Sequence, residues 1–467
     1  MSFDECQKAL DAAGQGHVLK FWKKLSAEEQ QSLLEQIATL NFDDISRMAS
    51  YLDDKGQATA QADFAPAESV ELTGDERLQS WERGEALLGD GKVGVILVAG
   101  GQGSRLGYDG PKGAYAIAPL TGATLFEIHA HKVLALSERY GKPVPLYIMT
   151  SEGNDAATRQ CFADNDNFDL PAEDVHFFVQ GKWPALDPDG KIILEAPGRI
   201  FFSPDGHGGT LSALLNTGMI ADMASRSLST LFYFQVDNPM VEIADPAFVG
   251  LHDLRNADIS LKVCQKRDPD EGLGVVVVRD GLHGMVEYTE LSDAEKQRTD
   301  ADGNLWLRYG SIAIHVFSLA FLEQEARANL PIHVAHKKVP MCDADGNTVK
   351  PDEANAYKFE KFIFDVLPHA NTVVNLVCAR EDEFSPVKNA EGADSPASCR
   401  ADMSAKFARW LDQIGVAVPR DGDGQPSVTI EIDPMFALGP DELRQRLPED
   451  GIVIDDDLLL GASSCEV

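Results

Sequence analysis

The sequence predicts an α/β fold: a doubly wound, mostly parallel sheet with a helical N-terminal region before it and a small C-terminal domain after it. Three observations carry this reading. From Val93 onward, short β-rich runs ("VGVILVAG", "VPLYIMTS", "VHFFVQG", "LFYFQVDN") alternate with helical patterns such as "TLFEIHAHKVLALSERY" and "LSALLNTGMIADMAS". Alternation of this kind builds a parallel sheet with helices on both faces. Three runs end in glycine or polar residues, at Gly100, Gln180 and Asp237, and the carboxyl ends of strands are where such sheets bind ligands. Finally, 467 residues at 44% hydrophobic suffice for one large core plus smaller domains, because single cores seldom grow past roughly 250 to 300 residues.

Taken in order, residues 17 to 52 read as helical. Ser26 with Glu29 forms a capping box, and Leu33, Leu34, Ile37 and Leu40 follow at helical spacing. Residues 54 to 69, "DKGQATAQADFAPAES", have little periodicity and read as a linker, after which Leu78 to Leu88 is helical again. The strand-like "ISLKVCQ" and "LGVVVVRDG" extend the β-rich part past residue 257. The tail holds a helical "ADMSAKFARWLDQIG", a strand-like "SVTIEI" and a helical "PDELRQRL". The expected organisation is therefore a helical region with linker over 1–90, a main α/β domain over 91–390 and a small C-terminal domain over 391–467.

A formal net charge of -34, from 75 acidic and 41 basic residues, argues against nucleic-acid or anionic-membrane partners, which need clustered Lys/Arg. Any anion must sit in a local cationic pocket. Seven cysteines without a CxxC make neither a disulfide framework nor a zinc site, so a reducing, cytoplasmic setting is expected. No secretory leader pattern opens the sequence, and no apolar run reaches membrane-spanning length.

The chemistry is concentrated in "LVAGGQGSRLGYDGPKG", residues 97 to 113. A strand feeding a glycine-rich loop lets backbone N–H groups approach a ligand closely, and such donors suit phosphates. The P-loop pattern fails because Gly113 follows Lys112, and the dinucleotide fingerprint fails because Leu106 stands where its third glycine belongs. Arg105 adds a planar fork and Lys112 a point charge for phosphate oxygens.

This loop, followed in order by "VQGKWPALDPDGKIILE", "SPDGHGG", "QVDNP", "GVVVVRDG", "VEYTEL", "HVAHKKVP", "KFEKFIFD" and "REDEFSPVKNA", resembles the eukaryotic-type UDP-sugar pyrophosphorylases over roughly residues 91 to 395, and most of all their UDP-N-acetylhexosamine branch. The resemblance implies a Rossmann-like nucleotidyltransferase fold and a magnesium-dependent uridylyltransferase that joins UTP and a sugar 1-phosphate, either an N-acetylhexosamine or a hexose. It implies that Val98, Ala99, Gly100 and Gly101 line the nucleotide, that Arg105 stabilises the leaving pyrophosphate and that Lys112 contacts the UTP phosphates. Gln180 and Gly206 match positions beside uracil, and Asp237 matches the Mg2+ ligand. Lys358 and Lys388 match phosphate-contacting lysines, while Gly274 and Glu287 match sugar-side positions. Lys361 is assigned to the surface.

Two departures bear on the sugar. His207 stands where the acetylhexosamine branch has asparagine, and Ser311 replaces a further family asparagine. His207 is read either as a hydrogen-bonding specificity residue or as a packed loop histidine. The remaining alternatives are a glucose-1-phosphate-type enzyme with a non-acetylated preference and a non-catalytic UDP-sugar sensor.

Overall fold

In the computed structural model, residues 1–53, 63–449 and 451–461 are described; residues 54–62 of the expected linker lie outside them. The chain forms two compact units. The first joins Met1–Asp63, Gln180–Ser212 and Ala328–Asp365, and the second joins Phe64–Val179, Ala213–Arg327 and Val366–Val467.

The first unit opens with helices α1 (Phe3–Ala12), α2 (Ala27–Ala38) and α3 (Phe42–Asp53). α2 starts where its capping box places it: the Ser26 hydroxyl accepts the Glu29 N–H, and the Glu29 carboxylate accepts the Ser26 N–H at 2.8 Å. α1 lies upstream of the expected helical stretch and opens with an equivalent box, Ser2 and Glu5. Its apolar signal is thin, because only Cys6 and Leu10 are buried. An amphipathic helix must cover its apolar stripe. Leu33, Ile37, Ile45 and Met48 do so against Trp183, Leu186, Ile192 and Phe359. The N-terminal helices therefore share a core with two later stretches instead of forming a contiguous 1–90 domain, and α4 (Gly74–Gly89) belongs to the second unit.

The second unit is organised by a ten-stranded sheet. In chain order its strands are β1 (Ala65–Pro66), β2 (Val93–Val98), β3 (Leu146–Thr150), β4 (Val175–Val179), β5 (Thr230–Gln235), β6 (Ile259–Gln265), β7 (Val275–Arg279), β8 (Leu282–Val286), β9 (Tyr309–Ser318) and β10 (Val373–Val377). β5, β2, β3 and β4 run parallel in that spatial order. The near-continuous apolar runs of β5, β2 and β3 follow from burial on both faces, whereas β4, at the sheet's edge, is mostly half-buried. β9 lies antiparallel between β5 and β6, and β6 pairs in parallel with β10. β1, cut from the expected linker, pairs with β7. β7 and β8 form a hairpin whose turn residues, Asp280 and Gly281, both have positive φ (52° and 82°), as a tight Asp-Gly turn demands.

α4 crosses the Pro246–Leu254 helix at glycine contacts. A Cβ on Gly250 would lie 1.8 Å from the Ser80 carbonyl oxygen, and one on Gly84 would lie 1.9 Å from that of Pro246. Backbone cannot yield there as a flexible side chain could. Gly250→Ala is accordingly expected to destabilise the protein by about 3 kcal/mol, the upper end of the 1–3 kcal/mol typical of overpacking, read as a lower urea midpoint at unchanged slope.

The expected C-terminal helix, strand and short helix are present, joined by a strand, Leu458–Leu460, that the sequence did not announce. A helix spans Pro396–Gln413, strands Ile430–Ile432 and Leu458–Leu460 pair in parallel, and a short helix spans Pro440–Arg446. They enclose their own cluster, which includes Trp410, Leu411, Ile430, Phe436, Leu443 and Leu460. No helix among the described residues is long and apolar enough to cross a membrane.

Candidate active site

Val98 and Ala99 carry β2 into the glycine loop and are pinned from both sides. The Val98 carbonyl accepts the Val236 N–H at 3.0 Å, and the Ala99 N–H donates to Met149 at 2.8 Å. The next carbonyls turn toward the segment after β3. Asn154 Nδ2 donates to the oxygens of Ala99 (2.8 Å) and Gly101 (3.2 Å), and Ser151 Oγ donates to that of Gly100 (2.8 Å). Asn154 itself is buried and fixed through its Oδ1 by the Ser151 N–H. With the carbonyls held on one side, the N–H groups of Gly100 and Gly101 have no acceptor among the described residues. A Cβ on Gly101 would meet nothing within 4 Å, and its φ is not in the left-handed region. The fold does not need glycine there, so the open space is suited to a ligand.

The loop closes through Gly103 N–H to Gly110 O (2.9 Å) and Lys112 N–H to Gly101 O (3.1 Å). Arg105 projects from it, exposed and without a carboxylate partner among the described residues. Lys112 reaches the end of β5: its Nζ lies 3.4 Å from Asp237 Oδ2 and donates to the Val387 carbonyl at 3.1 Å. The Val387 N–H in turn donates to the Asp237 carbonyl at 2.8 Å. Lys388 is the next residue, with its Nζ 5.5 Å from the centre of the Phe384 ring. Lys112, Asp237 and the backbone bearing Lys388 are thus drawn together.

Beneath them, Asn238 is buried and clamps the same segment. Its Nδ2 donates to the Glu383 carbonyl at 2.7 Å, and its Oδ1 accepts the Ser385 N–H at 3.2 Å. Glu383, Glu242 and Asp245 converge closely enough to resemble a cation site. The buried Lys262 ammonium already bonds Asp245 at 2.8 Å and Glu383. Burial opposes the charge on Lys262, but these two carboxylates outweigh it and hold its pKa above the ordinary lysine value. Asp237 is different: Lys112 takes one oxygen, and the other has no partner among the described residues. Mg2+ commonly takes one or two carboxylates with substrate phosphates and waters, so that oxygen suits it.

Gly274, Glu287 and Ser311 also come together. The Ser311 N–H donates to the Gly274 carbonyl at 2.8 Å, and Glu287 Oε1 lies 3.1 Å from where a Gly274 Cβ would be. Their adjacency follows from β7 pairing with both β8 and β9.

Gln180, Gly206, His207 and Lys358 belong to the first unit. Gln180 directly follows β4, half-buried, with no hydrogen bond to its amide among the described residues. Gly206 has φ 83°, and a Cβ on it would sit 2.4 Å from the Lys361 carbonyl oxygen. His207 Nδ1 accepts the Ile363 N–H at 3.1 Å, and the ring stacks on Phe362 with centroids 5.3 Å apart. Burial lowers its pKa to about 4, so near pH 7 it is neutral, with its proton on Nε2. Lys358 Nζ lies 5.0 Å from the Phe201 ring centre, and burial lowers its pKa. Lys361 is more enclosed than its surface assignment implies: it lies 4.9 Å from the Trp183 ring, and burial lowers its pKa too.

Sequence reasoning missed Ser151, Asn154, Asn238 and Lys262. The polar "TSEGN" after β3 was a usable signal for the first two. Nothing local marked Lys262, whose partners are 17 and 121 residues away.

Residues 41–422 match the protein family described as UTP–glucose-1-phosphate uridylyltransferase. The chain is 36% identical to UDP-N-acetylhexosamine pyrophosphorylase-like protein 1 of Xenopus tropicalis, with 93% of this chain and 92% of that protein aligned. It is 32% identical to UDP-N-acetylglucosamine pyrophosphorylase of Saccharomyces cerevisiae, with 93% and 95% aligned. The crystal structure of the Trypanosoma brucei uridine diphosphate N-acetylglucosamine pyrophosphorylase in complex with inhibitor is similar at TM-score 0.84 and 28% identity, covering 99% of each chain. Joined to the geometry of the glycine loop, these matches establish that the chain belongs to the UTP–glucose-1-phosphate uridylyltransferase family.

Proposed function

We propose that this protein is a uridylyltransferase that joins UTP to an N-acetylhexosamine 1-phosphate, giving the UDP-sugar and pyrophosphate. The observation that carries the reading is the convergence of two unclaimed loop N–H groups, the Lys112 ammonium and the Asp237 carboxylate at the ends of adjacent parallel strands. The names of the relatives carry the choice of an acetylated sugar. The free cysteines among the described residues agree with a reducing, cytoplasmic setting.

In the reaction a sugar-phosphate oxygen attacks the α-phosphorus of UTP in line. The bond from that phosphorus to the bridging oxygen breaks, and its electron pair leaves with pyrophosphate. The attacking oxygen is already ionised, so catalysis needs positioning and charge stabilisation in place of a general base. Loop N–H groups and Lys112 orient the phosphates, and Arg105 receives charge developing on the leaving group. Lys358 and Lys388 are assigned to further phosphate oxygens, and Gln180 with Gly206 to the uracil edge. Mg2+, when held by Asp237, would neutralise phosphate charge. Asp237→Asn is therefore expected to raise the Mg2+ concentration giving half-maximal activity by about tenfold or more, measured by titrating Mg2+ at saturating substrates.

On the sugar side we assign Gly274, Glu287 and Ser311. The stacked ring of His207 and its engaged Nδ1 favour the packed-histidine reading over direct specificity. The deciding assay offers UTP, Mg2+ and the 1-phosphates of GlcNAc, GalNAc, glucose and galactose in turn, with pyrophosphate release measured. An acetylated sugar should lead glucose by about tenfold or more in kcat/KM. Preference for glucose would replace the reading with the hexose one, and tight UDP-sugar binding without turnover would replace it with the sensor.

A further inference from the structure

The stretch from Val236 to Val241, which carries Asp237 past the end of β5, lies in no strand or helix that would take its carbonyl oxygens. Buried backbone acceptors need partners all the same. Side chains from two helices supply most of them. From α5 (Leu125–Tyr140), His129 donates to the Val236 carbonyl at 3.0 Å, and Lys132, almost one turn on, donates to those of Pro239 (2.5 Å) and Val241 (2.8 Å). From the Pro396–Gln413 helix, Lys406 donates to the Met240 carbonyl at 3.2 Å.

Of these three side chains, His129 holds the carbonyl next to Asp237. It is fully buried and packs edge-to-face against Phe234, with ring centroids 4.8 Å apart. Burial, reinforced by Lys132, lowers its pKa to about 3, so the imidazole is neutral near pH 7. A carbonyl only accepts, so the single ring proton sits on Nε2. Nδ1 is left without a partner among the described residues. A buried nitrogen with no partner costs stability, and an apolar side chain would fill the space without that cost. What the imidazole adds is its bond to Val236.

That bond fixes the peptide leading into Asp237. The Val236 N–H is held by the Val98 carbonyl at 3.0 Å, the Val236 carbonyl by His129, and the Asp237 carbonyl by the Val387 N–H at 2.8 Å. With the planar peptides on both sides of its Cα held, the direction in which Asp237 projects its side chain is set. Without the imidazole the Val236–Asp237 peptide can turn about its flanking bonds, and the side chain turns with it. We propose that His129 is a positioning residue for uridylyl transfer, its Nε2–H orienting the Asp237 carboxylate for Mg2+ through the Val236 carbonyl. This rests on the assignment of Asp237 as the Mg2+ ligand.

The test is an equilibrium one, on the full chain without sugar 1-phosphate, so that no turnover occurs. Mg2+–UTP is titrated calorimetrically beside UTP freed of metal by EDTA. The unmodified protein should bind Mg2+–UTP at least about tenfold more tightly, and His129→Leu, which lacks the donor, should lower that preference about tenfold, the smaller end of the loss when a group orienting a metal ligand is removed. His129→Gln should restore it, because the glutamine Nε2 lies as many bonds from Cα as the imidazole Nε2. Should His129→Leu fail to fold, His129→Phe keeps a ring against Phe234 without the donor and should show the same loss. Asp237→Asn should show it too, and adding His129→Leu to that variant should lower the preference no further. An unmodified protein without the preference, or Asp237→Asn that keeps it, would overturn the Mg2+ assignment and the proposal with it. Loss in Asp237→Asn beside full preference in His129→Leu would overturn the proposal alone. So would a His129→Gln variant that binds as His129→Leu does, because the role would then not lie in the donor.

Discussion

Arg105→Ala is expected to lower kcat by roughly 10^2- to 10^3-fold, as for loss of one donor to developing charge, while KM for UTP moves by only about threefold. Arg105 is exposed at the tip of the glycine loop and pairs with no carboxylate among the described residues. Its removal therefore breaks no contact on which folding depends, and the thermal midpoint should hold. Steady-state kinetics with UTP varied at saturating sugar 1-phosphate separate the two constants. A rise in KM with kcat intact would reassign Arg105 to uniform substrate binding.

The second large effect is expected at Gly101. Because a Cβ there meets no protein atom within 4 Å, Gly101→Ala should fold with stability unchanged to within about 0.5 kcal/mol. On the proposed function the added methyl group would stand in the path of a phosphate approaching the loop N–H groups, and kcat/KM should fall by about 10^2-fold. Gly101→Val should fall further, since the obstruction grows with side-chain volume. Loss of activity in step with loss of stability would instead make Gly101 a structural glycine. The contrast with Gly250, where a Cβ meets backbone at 1.8 Å, gives the experiment an internal reference.

The parallel core was legible because strands buried on both faces must be apolar along their length, so Val93–Val98 and Thr230–Gln235 declare themselves. The carboxyl-end rule then located Gly100, Gln180 and Asp237. The antiparallel half of the sheet was less visible. β9 alternates between buried and half-buried positions at its start and carries a register shift against β6, with Ala313 at φ 59°, a bulge that no local composition announces. The candidate site was legible where it consists of backbone and charge, as in the glycine loop. It was hidden where one polar side chain supports another across long separations. Asn154 spans about fifty residues to reach Ala99 and Gly101, and Asn238 reaches Glu383. Such partners are chosen by the finished fold, and periodicity does not encode them.

The first unit is assembled from three stretches of chain, the last ending at Asp365. On a ribosome, α1 to α3 emerge long before Phe359 exists to cover Leu33 and Ile37. At about 5–20 residues per second, the interval of some three hundred residues lasts roughly 15 to 60 seconds. Until it ends the apolar stripes of these helices lack part of their cover, Trp183 and Ile192 arriving midway and Phe359 last, which makes them a natural target for chaperones. Nascent chains stalled before residue 359 should therefore remain protease-sensitive across residues 27 to 53, with protection arriving only when the last stretch has cleared the exit tunnel.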